Sequence, residues 1–270
     1  MSTPTLSEVA RAVRPGPVFL GLVAAAVLGG WMCAVSEPGR NAMSIGGTLL
    51  VVLAGWVISL CLHEFAHAVT AFAFGDRNAE LRGYLTLNPL RYTHPGLSLV
   101  LPLLFIVMGG IGFPGGAVYV NQHGFRRWQR TVVSLAGPAV NVGLAVVILA
   151  VIRLAAPTPA GGWWAVLPVD GINLWAALGM LAFLQITAAV LNLLPVPGFD
   201  GYGAIEPYLS AQTRASAAKI APYGFLIVLV LLLVPQLNSV FFDIVLWLFD
   251  LSGVPAQLAT LGWSTFLFWR

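Results

Sequence analysis

Charged residues are scarce in this chain of 270 amino acids: Asp, Glu, Lys and Arg make up 9% of it, and hydrophobic residues make up 59%. A soluble domain carries roughly 25% charged residues. The sequence also lacks any long polar stretch from which a soluble domain could be built. The composition therefore argues against a soluble protein and predicts an all-α polytopic membrane protein with about five to six transmembrane helices.

Cysteine is rare as well. Cys33 and Cys61 both lie in apolar runs, which argues against a disulfide framework and against a thiolate zinc cluster. The net charge is +3, but most arginines lie in short loops beside apolar runs, where they set membrane topology. We therefore expect no nucleic-acid partner.

The apolar runs predict the membrane spans, because a helix needs about 20 residues to cross the hydrocarbon core. These runs cover residues 17–35, 45–74, 132–154 and 172–194, followed by shorter runs at 221–234 and 240–251. The last two could form one kinked helix, or a short helix followed by an interfacial one. The first run resembles a signal sequence, but its length favours an uncleaved helix. We expect a single domain over 1–270, with its core at 45–205, an N-terminal helix within 1–44 and C-terminal helices within 221–270.

Basic loops give an orientation. Loops 76–94, 122–130 and 210–219 carry Lys or Arg, whereas loop 156–171 has neither, so the positive-inside rule places the N-terminus and the basic loops in the cytoplasm. Segment 97–112 must then re-enter the membrane as a hairpin, unless the charge rule fails there, and its Pro and Gly residues favour re-entry beside the active site. In loop 76–94, the loose alternation of Leu81, Tyr84-Leu85 and Leu87 predicts one or two short strands at the membrane surface.

An HExxH sequence, His63-Glu64-Phe65-Ala66-His67, lies inside the second apolar run. Residues four apart share one face of a helix, so His63 and His67 can reach the same ion, with Glu64 rotated aside to hold a water molecule. Two imidazoles and a glutamate in this arrangement are typical of a zinc site in which the glutamate is the general base. Ionisable groups inside a membrane span indicate a functional site.

A catalytic zinc usually takes three protein ligands. Asp200 is a candidate for the third, because it follows a span that Pro195 and Pro197 interrupt, and these residues favour extended backbone. The residues alone leave open whether Asp200 is a ligand or an ordinary turn residue before Gly201. The other acidic residues considered lie in polar loops or near the C-terminus: Glu80, Glu206, Asp243 and Asp250.

Three motifs occur in the order found in the site-2 protease family: HEFAH, Ala136-Gly137-Pro138-Ala139-Val140-Asn141, and Asn192…Pro195…Asp200-Gly201. The stretches Leu85-Thr86-Leu87-Asn88-Pro89-Leu90 and Gly112-Phe113-Pro114…Asn121 resemble its compact bacterial branch without a PDZ domain. The resemblance covers roughly residues 45 to 205. It implies an intramembrane zinc metalloprotease of the bacterial plasma membrane, with one Zn²⁺ per chain held by His63, His67 and Asp200, and with Glu64 activating the zinc-bound water.

The chain departs from its relatives after the Asn-Pro pair. Where they usually carry His-x-Asp-Pro, it reads Tyr92-Thr93-His94-Pro95, so the function of that loop is expected to differ. His94 could be a fourth ligand, but a surface loop residue is the simpler interpretation, as it is for His123.

Several residues are candidates for substrate contact. We expect a single-pass membrane protein as substrate, and an unwound substrate could add to a strand edge. Residues 116–121 are the candidate edge, through Gly116, Val118 and Asn121. Asn141 and Asn192 could stabilise the oxyanion or clamp the substrate, or simply form interhelical hydrogen bonds. The competing functions are an inactive membrane scaffold with the same fold and, with less support, a metal transporter.

Overall fold

The structure is a computed structural model that describes residues 7–8, 12–91, 124–157 and 170–270. Within those ranges the chain forms helices and turns and no strand. The helices, numbered in chain order, are α1 Pro17–Val35, α2 Ala42–Ala73, α3 Asn78–Leu81, α4 Arg127–Ala155, α5 Ile172–Asn192, α6 Asp200–Ile205, α7 Ala211–Ile220, α8 Gly224–Leu233, α9 Pro235–Asp250 and α10 Gln257–Phe266. Short 3₁₀ turns lie at Tyr84–Thr86, Pro89–Arg91, Glu206–Tyr208 and Ala221–Tyr223.

In the part of the chain that the structure describes, five helical stretches are long and apolar enough to cross a membrane. They are α1, α2, α4, α5 and the stretch Ala211–Leu233, in which α7 continues through a 3₁₀ turn into α8. This confirms the prediction of an all-α polytopic membrane protein. The four long predicted spans agree with α1, α2, α4 and α5 to within a few residues at each end.

Helix α2 has clear signals at both ends. The Asn41 side chain accepts a hydrogen bond from Ser44 N, and Ser44 Oγ accepts one from Asn41 N, both at 2.9 Å. This reciprocal capping satisfies amide groups that have no partner within the helix. At the other end Gly75 has a φ of +110°, a conformation that glycine adopts without steric cost and that stops the helix.

Helices α2 and α5 form the centre of the bundle. α2 packs against α1, α4 and α10, and α5 packs against α4, α9 and α10. α1 approaches α2 closely at Gly29 and Gly47, where an added Cβ would lie closer than 3.0 Å to atoms of the opposite helix. Small residues of this kind allow helix backbones to pack closely in a membrane. The C-terminal half of α2 carries the HExxH sequence, and the bundle buries His63, Glu64 and His67 there.

The prediction of short strands in the loop after α2 is wrong for the part that the structure describes. Residues 78–91 form α3 and two 3₁₀ turns, with Gly83 at φ +73° and Leu87 at φ +53°. Such left-handed residues reverse the chain instead of extending it. Tyr84 and Leu85 are buried against the end of α2, so the apolar pattern reflects turns packed on a helix. The predicted re-entrant segment 97–112 and the edge 116–121 lie outside the described residues.

The C-terminal region contains more helix than the sequence indicated. The apolar runs form two helices, α8 and α9, which are divided at Val234 because Pro235 begins a new helix and cannot continue the old one. Asn238 Nδ2 donates to Leu232 O at 3.0 Å across this break. The final helix α10, which packs on α5, lies within the region where C-terminal helices were expected, beyond the last apolar run.

Candidate metal centre

The two histidines of the HExxH sequence face each other inside the bundle. Nε2 of His63 lies 3.1 Å from Nε2 of His67, and the two rings are 4.8 Å apart at an angle of 76°. Both residues are buried, with 6% and 8% of their surface exposed. Their position follows from the helical period, because residues four apart lie one above the other on the same face of α2.

Asp200 approaches both rings from the other side. Its Oδ2 lies 3.2 Å from His63 Nε2, and its Oδ1 lies 3.4 Å from His67 Nε2. It is the first residue of α6, and a tight turn precedes it in which Phe199 N donates to Val196 O and Gly198 has a φ of +103°. One ligand atom from each of the three residues lies within 4.8 Å of the other two.

Asp200 lies outside the long apolar helices, as the first residue of α6. A carboxylate binds a metal in its ionised form.

The opposite ring nitrogens are engaged elsewhere. Nδ1 of His67 lies 2.7 Å from the carbonyl oxygen of Val133, and Nδ1 of His63 lies 2.6 Å from Oδ1 of Asn141. Because a carbonyl oxygen only accepts, each Nδ1 must carry the hydrogen, and each Nε2 then presents a lone pair.

The three groups therefore fit a metal cation. Two lone pairs and a carboxylate directed at one point repel one another unless a cation lies between them. Ligand atoms about 2.0–2.2 Å from a tetrahedral zinc lie roughly 3.3–3.6 Å apart. The two Nε2 atoms are 3.1 Å apart, and they lie 3.2 and 3.4 Å from different oxygens of Asp200, which is close to that spacing. Two imidazoles and one carboxylate are ligands that zinc takes, and they leave a fourth position open.

Helix α4 supplies a matching face. Val133, Gly137 and Asn141 are also four residues apart, and α4 runs antiparallel to α2, so that Val133 is opposite His67 and Asn141 is opposite His63. Gly137 lies between them, and a Cβ at that position would come closer than 3.0 Å to Nε2 of both histidines. The bare backbone of Gly137 thus leaves the space that the convergent nitrogens need.

Glu64 is buried, with 3% of its surface exposed. It follows His63 directly, so its side chain leaves α2 at roughly 100° from that of His63. This places a carboxylate beside the ligands without making it one of the three.

The remaining predicted residues divide into two groups. Asn141 contacts His63, and Asn192 is buried in the wall of a small cavity that also includes Trp56, His63 and Asn141. Gly116, Val118 and Asn121 lie outside the described residues, as do Tyr92, His94 and His123.

The other acidic residues considered as ligands do not join the cluster. Glu206 forms an ion pair with Arg130 at 3.3 Å, and Glu80 one with Arg77 at 4.0 Å, both partly exposed. Asp243 and Asp250 are exposed on α9.

Sequence reasoning missed two buried residues of this site, Gln185 and Ser59. Asn141 Nδ2 donates to Gln185 Oε1 at 2.9 Å, and Gln185 Nε2 donates to Ser59 Oγ at 3.0 Å. A signal for Gln185 was present, because an amide in the middle of an apolar span needs a polar partner.

Comparison with known proteins identifies the family. Over 96% of its length and 96% of theirs, the chain is 49% identical to “Putative zinc metalloprotease Rip2” of Mycolicibacterium smegmatis and 48% identical to the protein of the same name from Mycobacterium tuberculosis. The chain belongs to this family of zinc metalloproteases. The resemblance to the compact site-2 protease branch without a PDZ domain is thereby confirmed.

A more distant relative agrees. “Putative zinc metalloprotease YwhC” of Bacillus subtilis is 32% identical over 66% of this chain and 78% of its own length. No family model matches the chain, and no solved structure matches it.

Proposed function

We propose that this metalloprotease is an intramembrane zinc endopeptidase that hydrolyses peptide bonds within or near the transmembrane helix of a membrane-protein substrate. One observation carries the proposal: ligand atoms of His63, His67 and Asp200 converge to within 4.8 Å, inside a bundle of helices long enough to cross a membrane. A hydrolytic site in that place has a transmembrane segment as its nearest peptide substrate.

The chemistry divides between the metal and the protein. Zinc, when bound, polarises the scissile carbonyl and makes water more acidic. His63, His67 and Asp200 would hold it, while Glu64 would accept a proton from the attacking water and return it to the leaving amine. Burial of Glu64 keeps bulk water from competing for that proton.

The substrate must expose its backbone to be cut. The carbonyl groups of a transmembrane helix are hydrogen-bonded, so the helix has to unwind locally before a peptide bond reaches the metal. We propose a single-pass membrane protein as the substrate, held in extended form by the strand edge that the sequence predicts at 116–121. The loop charges favour a multi-pass protein of the bacterial plasma membrane with its N-terminus and the active-site side in the cytoplasm.

Replacing the general base tests the function. We expect Glu64→Gln to bind zinc as the unchanged protein does and to cut at least about 100-fold more slowly, since general acid–base catalysis contributes 10²–10⁴-fold. The probe is a synthetic single-span peptide whose transmembrane helix carries a central Asn-Gly-Pro to promote unwinding. The peptide and the protein are reconstituted together in liposomes. Glu80→Gln is the control, because it removes a partly exposed carboxylate that pairs with Arg77 and does not belong to the metal-ligand cluster.

The outcomes separate the competing functions. Unchanged cleavage by Glu64→Gln contradicts the proposed mechanism. If the unchanged protein cleaves nothing and Glu64→Gln leaves its cellular effect intact, the scaffold function is supported. Zinc flux into vesicles that depends on His63, His67 and Asp200 would support a transporter instead.

A further inference from the structure

A chain of four buried side chains leads from the metal ligand His63 back to its own helix. His63 contacts Asn141 on α4, Asn141 contacts Gln185 on α5, and Gln185 contacts Ser59 on α2, at 2.6, 2.9 and 3.0 Å. Ser59 Oγ donates to Trp56 O at 2.8 Å. Each of these side chains belongs to a residue that is at most 6% exposed, so water does not compete with the hydrogen bonds.

We propose that Gln185 is a positioning residue that selects the metal-binding tautomer of His63. This inference rests on the proposed function, because it assigns a role to Gln185 at the same metal site. Gln185 does not touch the reacting atoms; it acts through Asn141.

The Ser59 end of this series of hydrogen bonds decides which atoms donate and which accept. The carbonyl oxygen of Trp56 has no hydrogen and only accepts, so the single hydrogen of the Ser59 hydroxyl points to it across 2.8 Å. The Ser59 oxygen is then the acceptor on its other side. Gln185 must therefore turn its amino group to Ser59 and its oxygen to Asn141.

The same logic continues to the metal ligand. Gln185 presents its oxygen to Asn141, so Asn141 must turn its amino group toward Gln185. Asn141 Oδ1 then faces His63. That oxygen takes the hydrogen on Nδ1, so the lone pair of His63 is on Nε2, the nitrogen beside Asp200.

The opposite order of donors and acceptors is incompatible with metal binding by His63. If each amide were turned over, Asn141 would offer its amino group to Nδ1, and the hydrogen of His63 would move to Nε2. The Ser59 and Trp56 oxygens would then face each other at 2.8 Å without a hydrogen between them. Gln185 thus couples a fixed backbone acceptor to the protonation site of a ligand two helices away.

Two substitutions at this position distinguish the proposal from simple packing. Gln185→Met preserves shape but removes both the carbonyl oxygen and the amino group of the amide, so Asn141 is free to turn over. Gln185→Glu keeps an acceptor toward Asn141 whether or not the acid is protonated. We expect Gln185→Met to weaken zinc binding about 10–100-fold, as loss of the partners that orient a ligand does. We expect Gln185→Glu to stay within about threefold of the unchanged protein, because the acceptor that orients Asn141, and with it the ligand, is kept.

The measurement is zinc affinity of the purified full chain in detergent, by competition with a chromophoric chelator. In parallel, ¹⁵N spectra of histidine-labelled, zinc-free protein report the tautomer: His63 should be protonated at Nδ1 in Gln185→Glu and should show both tautomers in Gln185→Met. A packing role predicts the opposite order of affinities, since a buried methionine is tolerated better than a buried acid.

Two results would overturn the proposal: zinc affinity of Gln185→Met within threefold of the unchanged protein, or weaker binding by Gln185→Glu than by Gln185→Met. Should Gln185→Met fail to fold, Asn141→Asp and Asn141→Leu give the same comparison, with zinc retained only where an acceptor faces His63. Neither assay requires proteolysis. The expected zinc affinities of the Gln185 variants, found together with undiminished cleavage by Glu64→Gln, would refute the proposed function and leave this inference standing.

Discussion

Adding one methyl group at Gly137 should abolish the metal site. In Gly137→Ala the new Cβ would lie closer than 3.0 Å to Nε2 of both His63 and His67, a separation that real Cβ atoms essentially never show. The helix α4 backbone carries the Cβ and cannot yield easily, because Val133 and Asn141 tie it to the same two rings. The rings must therefore move away from the position in which their lone pairs converge.

The magnitude follows from the tolerance of zinc coordination. Ligand distances in zinc sites hold to within about 0.2 Å, and disturbance of the orienting partners alone costs 10–100-fold in affinity. Displacing both imidazoles should cost at least about 100-fold, which corresponds to about 2.7 kcal/mol. Gly143→Ala is the matched control, because Gly143 lies on the same helix and an added Cβ there has no neighbour within 4 Å.

The assay is zinc content and zinc affinity of the purified variants, with circular dichroism to check that the helices remain. Gly137→Ala should be folded and nearly free of zinc after dialysis against a weak chelator, whereas Gly143→Ala should bind zinc as the unchanged protein does. If a folded Gly137→Ala retained stoichiometric zinc with unchanged affinity, the placement of the metal between the two rings and α4 would be wrong.

Three further outcomes are expected. Removing zinc with a strong chelator should lower the melting temperature reversibly, because binding at 100 times Kd stabilises by about 2.7 kcal/mol; an Asp200→Ala variant should show little response. Phe249→Ala should cost about 3–5 kcal/mol of unfolding free energy, since Phe249 is fully buried, while its zinc content stays normal. Arg130→Ala, measured in the same melts, should cost at most about 1 kcal/mol, because the Arg130–Glu206 pair is partly exposed; a larger loss would mean that the pair is not a simple surface contact.

The membrane helices and the metal-ligand candidates could be predicted because each depends on a period or a length along the chain. About 20 apolar residues specify a span, and α1 begins at Pro17 and ends at Val35 as expected. A spacing of four places His63 and His67 together on any helix. Asp200 is different, since its distance from the histidines depends on how α6 packs against α4, and the structure brings it to 3.2 Å from His63.

The features that were missed depend on contacts between distant segments. Leu85 alternates with polar neighbours as a strand residue does. The positive φ values of Gly83 and Leu87 instead produce turns, and the burial of Leu85 against α2 is visible only in three dimensions. Gln185 and Ser59 are 126 positions apart in the sequence. No local pattern links them, because their meeting requires the register of α2 against α5.

The two imidazoles have different kinds of hydrogen-bond partner, and this affects how the site tolerates mutation. His67 is hydrogen-bonded to the main-chain oxygen of Val133, which no amino-acid replacement at position 133 removes. His63 is hydrogen-bonded to a side chain, which mutation can replace. Natural or engineered variation in the strength of metal retention should therefore enter through the partners of His63. The hydrogen bond that orients His67 should stay the same among such variants, while the partners of His63 vary.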